Sequence, residues 1–441
     1  MTLLPFIIVL FVSLYISVWA SRQKAEYFLA GRSIGFLPLF GTFLGTQVGV
    51  GFVIGGTDAV WSQGILGSLY GLGLAIGMIV LACGYSSRLR KFHVKTLPNL
   101  LGNRYGCLRL RRFASLTSVL SLSGILVAQA VGLKRFLIAL GAENQAFFLF
   151  SWASVVFYTT FGGFLAVVWT DLLQAVGIII ILCFAFFFSL LPQFPEIMTY
   201  AQSMTLDFSD HAFSAFIMPV LYIFISEHMA QRSFAAKSPS VASKASLFTG
   251  ISLTILSIIP FACGILGKSM HLTLDHGSIF MQVMQHLSSP ALFAFITTAV
   301  LLAIISTTSS ILLAISSNAT QDTNMKPETG RWITLCVGII AVLGSFFEYD
   351  IITWIVLGYE LSVGALLVPL LIAVYSKHER LPQEAAWAAA ACGLLGVYVS
   401  HLVATGLLFV FLPLIFSSLG YIGGWFYGKS KQMLARESVI D

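Results

Sequence analysis

The residues best suited to binding chemistry form a run of hydroxyl side chains inside an apolar stretch. Five consecutive serine and threonine residues, Ser306 to Ser310, interrupt the segment AIISTTSSILLAISSNATQD. Ser306, Ser309 and Ser310 share one face of a helix, because residues three and four positions apart lie above one another. Their hydroxyls can bond back to their own helix or join neighbouring helices. Together with carbonyls and a carboxylate they could instead supply the oxygen ligands that hard cations take. Both interpretations are open at this point.

Acidic residues inside apolar segments are the second chemical feature. Asp171 lies in FGGFLAVVWTDLLQ, and Glu360 lies in WIVLGYELSVGALL. A charged side chain in hydrocarbon is costly, so both acids are candidates for ion or proton binding. Asp58 and Glu227 lie close to the ends of apolar segments, where solvation or helix capping accounts for them.

A glycine-rich segment is the third feature. The stretch FGTFLGTQVGVGFVIGGTDAV contains six glycines, and glycine weakens a helix. Backbone groups freed by a broken helix are tolerated at membrane depth only where they line a cavity. The segment therefore predicts either a broken helix that forms an ion and solute site or close packing of small residues between helices.

The elements that must position these residues are membrane-spanning helices. Of the 441 residues, 58% are hydrophobic and 10% are charged, and the mean hydropathy is +0.91. Soluble domains carry about 25% charged residues. Since a helical span needs about 20 apolar residues, the chain divides into thirteen spans with loops too short for a catalytic domain. The predicted spans are 3–20, 36–60, 64–86, 113–138, 146–161, 164–191, 212–230, 246–267, 293–318, 331–347, 350–375, 384–402 and 405–427.

The basic residues predict the orientation of these spans. If the N-terminus is outside, all but three of the 24 lysines and arginines fall on the cytoplasmic side, the exceptions being Lys134, Arg135 and Lys268. Such a bias is the positive-inside pattern. We therefore expect a multi-pass protein of the cell membrane with a cytoplasmic C-terminus. The basic loop 88–112 is interpreted as an anchor at anionic lipid headgroups and not as a nucleic-acid site.

Other chemistries have little support in the sequence. The six cysteines are widely separated and form no C-x-x-C pair, which argues against a disulfide framework or a metal site. All eight histidines fall in predicted loops or near span ends, so a haem or histidine-ligated redox bundle is disfavoured. Since the chain also has no P-loop and no nucleophile–base set, we expect neither an enzyme nor a cofactor.

Four motifs, found in the same order, resemble those of the sodium:solute symporter family. EYFLAGRS at 26–33 resembles the family's entry signature, and FGGFLAVVWTDLLQ at 161–174 resembles its GG-x-x-A-V-x-x-T-D-x-x-Q stretch. HMAQRSFAAKS at 228–238 resembles its Q-R-x-x-A-A-K segment, and AIISTTSS at 303–310 its hydroxyl-rich helix. The resemblance covers about 26–375. The arrangement of thirteen spans with the N-terminus outside also resembles the sodium/proline and sodium/pantothenate branches.

This resemblance implies an all-α polytopic fold with a ten-helix core. The core would consist of two inverted five-helix repeats, at 26–195 and 196–376, and its first helix would be broken. Residues 1–25 would form an additional transmembrane helix, and 377–441 would form two more with a short cytoplasmic tail. An odd number of helices per repeat makes the second repeat enter the membrane from the opposite side.

The resemblance also implies where sodium, as the coupling ion, would bind. A first site would use the backbone carbonyls of Gly45, Val48 and Ala303 with the hydroxyls of Ser306 and Thr307. Some members have a second site made by one aspartate and three serines. The matching residues here are Asp171, Ser306, Ser309 and Ser310, so the transport of one or two ions per cycle stays open.

The solute pocket departs from the better-known family patterns. Gln47, Gly49 and Phe52 on the broken helix align with solute contacts. The sugar-transporting members have an acid at the position of Gly71 and an asparagine at the position of Pro219, so both are replaced here. Tyr222 matches the aromatic residue that closes over their solute. Because the arginine that binds sialic acid is also missing, near Gly124, sugars and sialic acid are both disfavoured.

The sequence as a whole predicts a sodium-coupled symporter that imports a small polar solute, such as an amino acid, a vitamin or an organic acid, by alternating access. We expect a monomer in the bilayer. Glu360 has no counterpart in the family pattern, so a role with a cationic solute or with protons stays open. A proton-coupled or uniport variant, with Asp171 or Glu360 titrating, is the main alternative. A sensor module is less consistent, because only 428–441 follow the last span.

Overall fold

A computed structural model shows an almost entirely helical protein. Among the described residues the only β structure is a single bridge between Ile34 and Ala236. Six isolated positions between 8 and 19 are described, so the predicted first span falls largely outside the described residues. The continuously described ranges are 29–141, 144–204, 210–323, 327–347, 350–403 and 407–437.

Nine helical segments in the described ranges are long and apolar enough to cross a membrane, and Gln145–Phe157 and Trp332–Gly344 are shorter apolar helices. The class of polytopic helical membrane protein is therefore confirmed. The number of thirteen spans and the division into repeats stay predictions. One reason for the lower number is that the predicted span 36–60 is interrupted near its middle.

The helices are numbered in chain order. Those before residue 205 are α1 (Phe36–Gln47), α2 (Gly56–Gln63), α3 (Leu69–Val80), α4 (Ser86–Lys91), α5 (Leu97–Tyr105), α6 (Leu108–Ala139), α7 (Gln145–Ala185) and α8 (Phe194–Gln202). Those that follow are α9 (Asp210–Tyr222), α10 (Glu227–Ala235), α11 (Pro239–Leu256), α12 (Ile258–Ser269), α13 (Ile279–Leu287), α14 (Pro290–Thr323), α15 (Pro327–Gly344), α16 (Ile351–Tyr375), α17 (Gln383–Val403) and α18 (Leu407–Glu437).

The glycine-rich segment forms the expected broken helix. Helix α1 ends at Gln47, Val48 has the non-helical dihedrals φ −80° and ψ 62°, and the chain continues as a π-helical turn over Gly51–Gly55. Close packing of small residues also occurs at the break. A Cβ atom on Gly49 would lie 2.3 Å from the Thr307 hydroxyl, so only glycine permits this approach to α14. The break and the close packing therefore occur together, and an ion and solute site at the break stays a prediction.

Helix α14 lies in the interior of the bundle. It packs against α1, α6, α7, α10 and α15, whereas α17 and α18 pack mainly against each other and against α16. All five residues of the hydroxyl run are buried, with Thr307 the most exposed at 6%. The packing therefore places the hydroxyls of α14 opposite the break that follows α1.

Candidate functional site

The hydroxyls of α14 contact the backbone of the broken helix. The Ser306 hydroxyl donates to the carbonyl oxygen of Gly45 at 2.7 Å and lies 3.1 Å from that of Ala303. The Thr307 hydroxyl donates to the carbonyl of Thr46 at 3.0 Å. Four of the five residues predicted for the first sodium site are thus brought together. The fifth, Val48, lies within the break itself.

A buried ion pair lies next to this contact. Asp171 on α7 and Arg232 on α10 are 0% and 1% exposed, and Arg232 Nη2 donates to Asp171 Oδ2 at 3.0 Å. Thr42 donates to the same carboxylate oxygen at 2.6 Å, and Ser310 lies 3.2 Å from it. The ion pair therefore joins α7 and α10 to both α1 and α14.

Arg232 corrects one assignment made from the sequence, which counted it among cytoplasmic loop residues. Its guanidinium donates to the hydroxyls of Thr42, Thr46 and Ser310 at 2.9, 2.6 and 2.6 Å, and to the His228 carbonyl at 2.7 Å. An arginine can be buried when its charge is paired and its N–H donors find acceptors. The positive charge beside Asp171 in this conformation belongs to the protein.

The residues predicted for a second sodium site separate into two groups. Ser310 reaches Asp171, whereas Ser306 contacts the break and Ser309 donates to the Ser306 carbonyl at 3.0 Å. The other carboxylate oxygen, Asp171 Oδ1, is buried and has no hydrogen-bond partner among the described residues. The second site stays a prediction, and a sodium ion there would share Asp171 with Arg232.

A small cavity lies beside the break. The predicted solute contacts Gln47, Gly49 and Phe52 line it, and no Asp, Glu, Lys or Arg side chain is among the described residues around it. Its volume is about 30 Å³, which leaves space for about two water molecules. A solute of amino-acid size therefore requires the surrounding helices to move apart.

The other predicted solute contacts do not line this cavity. The nearest is Gly71, where a Cβ atom would lie 3.5 Å from the Phe52 ring. Tyr222 stacks on the cavity residue Tyr359 with ring centroids 4.0 Å apart. The remaining two contact other helices: the Pro219 carbonyl of α9 packs against Gly77 of α3, and Glu360 of α16 pairs with His401 of α17.

Gln129 and His228 are among the cavity residues that the sequence analysis missed. Gln129 is a single amide in the apolar part of α6 and is 1% exposed, and His228 was expected near a span end. The rule that a polar group at membrane depth indicates function would have identified Gln129, had it been applied to amides as well as acids. His228 gave no such signal, because α10 begins at Glu227 and enters the interior only through the tertiary fold.

The two acids near span ends act as helix caps, as one interpretation of the sequence held. The Glu227 carboxylate accepts from the backbone N–H of Leu97, the first residue of α5, at 3.3 Å. The Asp58 carboxylate lies 3.4 Å from the N–H of Ile279, the first residue of α13, and binds Arg135 at 2.7 Å. Negative charge near a helix N-terminus is stabilising.

We predict that Glu360→Gln leaves solute and sodium affinity within about twofold of the wild type and lowers thermal stability. The reason is that Glu360 Oε2 lies 3.0 Å from His401 Nε2, a contact between α16 and α17 outside the cavity. Binding titrations and thermal unfolding of the purified protein check this, and His401→Gln serves as the matched control with the same loss of stability. A change in either affinity of tenfold or more would place Glu360 in the transport machinery.

A broken helix that presents its carbonyls to a hydroxyl-rich partner inside a membrane bundle is the arrangement found in ion-coupled secondary transporters. Residues 27–393 match the model of the sodium:solute symporter family, and the chain belongs to that family. It is a multi-pass membrane protein that couples sodium to the symport of small solutes, and it is not an enzyme.

Two relatives and one solved structure illustrate the similarity. The chain is 27% identical over 360 residues to the sodium/proline symporter of Haemophilus influenzae, covering 73% of this chain and 70% of that protein. It is 30% identical over 191 residues to the sodium/pantothenate symporter of Escherichia coli, covering 40% and 39% of the two chains. The outward-open structure of a Na⁺-coupled sialic acid symporter superimposes with a TM-score of 0.72 over 97% of both chains, and at 19% identity this likeness concerns the fold.

Proposed function

We propose that this protein imports a small polar solute together with sodium, and that the ion binds between the broken helix and α14. The observation that carries the proposal is the Ser306 hydroxyl lying 2.7 and 3.1 Å from the carbonyl oxygens of Gly45 and Ala303. Carbonyl and hydroxyl oxygens are suitable ligands for a hard cation, and these belong to two separate helices. The proposed ligands are Gly45, Val48, Ala303, Ser306 and Thr307.

A site of this kind couples the ion to the conformation of the protein. A ligand shifts an equilibrium between two states only through a difference in its affinity for them. An ion bound by both the break and α14 favours the state in which they touch, and it loses ligands when they separate. In our proposal sodium enters from outside, holds the contact while the solute binds, and leaves to the cytoplasm when the two helices part.

The Asp171–Arg232 pair would control how many ions are carried. Because Arg232 already neutralises Asp171 in this conformation, the first site alone accounts for one sodium ion per cycle. A second ion at Asp171, with Ser306, Ser309 and Ser310, requires the guanidinium to withdraw.

The finer architecture belongs to the same proposal. We place the repeats at 26–195 and 196–376, the additional helices at 1–25 and 377–441, and the N-terminus outside. The excess of lysine and arginine in the predicted cytoplasmic loops supports this orientation. Many residues contribute to that excess, so removing Arg232 from the count changes it little. The protein would work as a monomer, because the proposed ion ligands all come from one chain.

Transport in proteoliposomes tests the proposed function. With an inward sodium gradient, we expect accumulation of at least one solute from a panel of amino acids, vitamins and organic acids that includes L-proline and pantothenate. Replacing sodium with potassium should abolish the accumulation, because the larger ion does not fit ligands set for sodium. A proton gradient alone should not restore it. Accumulation driven equally well by potassium or by protons would overturn sodium coupling.

A further inference from the structure

Gln129 is a buried polar group of the cavity wall that the proposed ion site does not use. It lies on α6, is 1% exposed, and lines the cavity beside the break. Its side-chain carbonyl oxygen is buried and has no hydrogen-bond partner among the described residues. A buried acceptor without a donor costs free energy, and such groups are rare in folded proteins. An apolar residue at position 129 would avoid this cost.

The surroundings of Gln129 define a mixed aromatic and polar pocket. Phe52, Tyr70 and Tyr359 bring aromatic rings to the cavity, and His228 adds an imidazole. Thr307 belongs both to the cavity and to the proposed sodium ligands. A solute in the cavity would therefore lie between the ion on one side and the Gln129 amide on the other.

The charges near the cavity disfavour a cationic solute. No carboxylate lines the cavity in the described part of the chain. The acids in this region are occupied: Asp171 pairs with Arg232, Glu227 caps α5 and accepts from Ser118, and Glu360 contacts His401. A solute with only a positive charge would have to be buried near sodium without a counter-charge, which is costly.

We infer that Gln129 recognises the solute, and that its free carbonyl accepts a hydrogen bond from an N–H group of a zwitterionic or uncharged molecule. This inference rests on the proposed function, since it places the solute next to the sodium ligands. In a zwitterion, the carboxylate lies toward sodium and Thr307 while the N–H reaches Gln129. Ring or aliphatic parts of the solute pack against Phe52 and Tyr359.

Matched pairs of solutes that differ only in the N–H group test the inference. The probes are L-proline with N,N-dimethylproline, glycine with glycine betaine, and choline as the cation, each titrated into the purified full-length protein with and without sodium. We expect sodium-dependent binding of at least one N–H solute, and binding at least tenfold weaker for its methylated partner. Equal binding within a pair, binding of choline alone, or no binding of any N–H solute overturns the inference.

The variant Gln129→Leu separates recognition from structure. We expect it to weaken binding of the N–H solute at least tenfold and to raise the thermal unfolding temperature without solute, because it removes an unpaired buried acceptor. A merely structural glutamine would instead leave the protein less stable when replaced. Ser417→Ala on α18 is the control, since the Ser417 hydroxyl is another buried group with no partner in the described ranges. It lies outside the cavity, so its removal should not affect solute binding.

Sodium binding distinguishes this inference from the proposed function. Sodium alone should stabilise Gln129→Leu as much as the wild type, because Gln129 is not an ion ligand. If sodium stabilises both proteins but Gln129→Leu keeps wild-type solute affinity, the inference fails and sodium coupling stands. If sodium stabilises neither protein and drives no uptake, the proposed function fails.

Discussion

Replacing Ser306 and Thr307 together with alanine is expected to raise the sodium concentration for half-maximal uptake at least tenfold, which corresponds to about 1.4 kcal/mol. The two hydroxyls are the only side-chain oxygens of the proposed site, and both contact the backbone of the broken helix at 2.7 and 3.0 Å. Without them the ion keeps only carbonyl ligands. Sodium titrations of uptake in proteoliposomes measure the effect.

Thr308→Ala is the matched control for this double substitution. Thr308 lies in the same hydroxyl run and is equally buried, but its hydroxyl donates to the Ile304 carbonyl of its own helix at 2.7 Å. Its removal should leave sodium dependence unchanged. A double variant that folds normally and retains wild-type sodium dependence would remove Ser306 and Thr307 from the ion site.

Breaking the buried ion pair is expected to have the largest effect on stability. Arg232→Met leaves the Asp171 carboxylate buried without its cation, and loss of one partner from a buried pair typically costs about 3–5 kcal/mol. The loss should be smaller in sodium than in potassium, because a sodium ion can then take the place of the guanidinium beside Asp171 Oδ2. Thermal unfolding of the purified variant in the two salts measures both effects.

A double-mutant cycle checks that the effect comes from the pair. Asp171→Asn combined with Arg232→Met should be less destabilised than Arg232→Met alone, because no uncompensated charge is then buried. Additive effects of the two substitutions would show that Asp171 and Arg232 act independently. An equal loss of stability relative to the wild type in sodium and in potassium would argue against a cation site at Asp171.

The sequence was sufficient to predict the class of protein and the two segments, the broken helix and the hydroxyl-rich helix, that the structure brings into contact. Hydropathy and glycine content are local properties, so a bundle of membrane helices and a break within the glycine-rich segment can be inferred without a fold. The hydroxyl run Ser306–Ser310 is likewise visible in the sequence, and the family motifs connect it to the break. The sequence does not determine which partner each hydroxyl bonds to. Ser309, predicted to share a helix face with Ser306 and Ser310, donates to a carbonyl of its own helix.

The partners of the charged and polar groups were decided by the tertiary structure alone. Asp171 and Arg232 are 61 residues apart in the sequence, and Arg232 reads as a loop residue until its side chain on α10 is seen to reach Asp171 on α7. The contact of Glu360 with His401 and the lack of a partner for the Gln129 carbonyl among the described residues are likewise visible only in the folded protein. A role of Glu360 in solute binding stays a prediction. A buried charge or amide is tolerated according to the atoms around it, and those atoms come from distant parts of the chain.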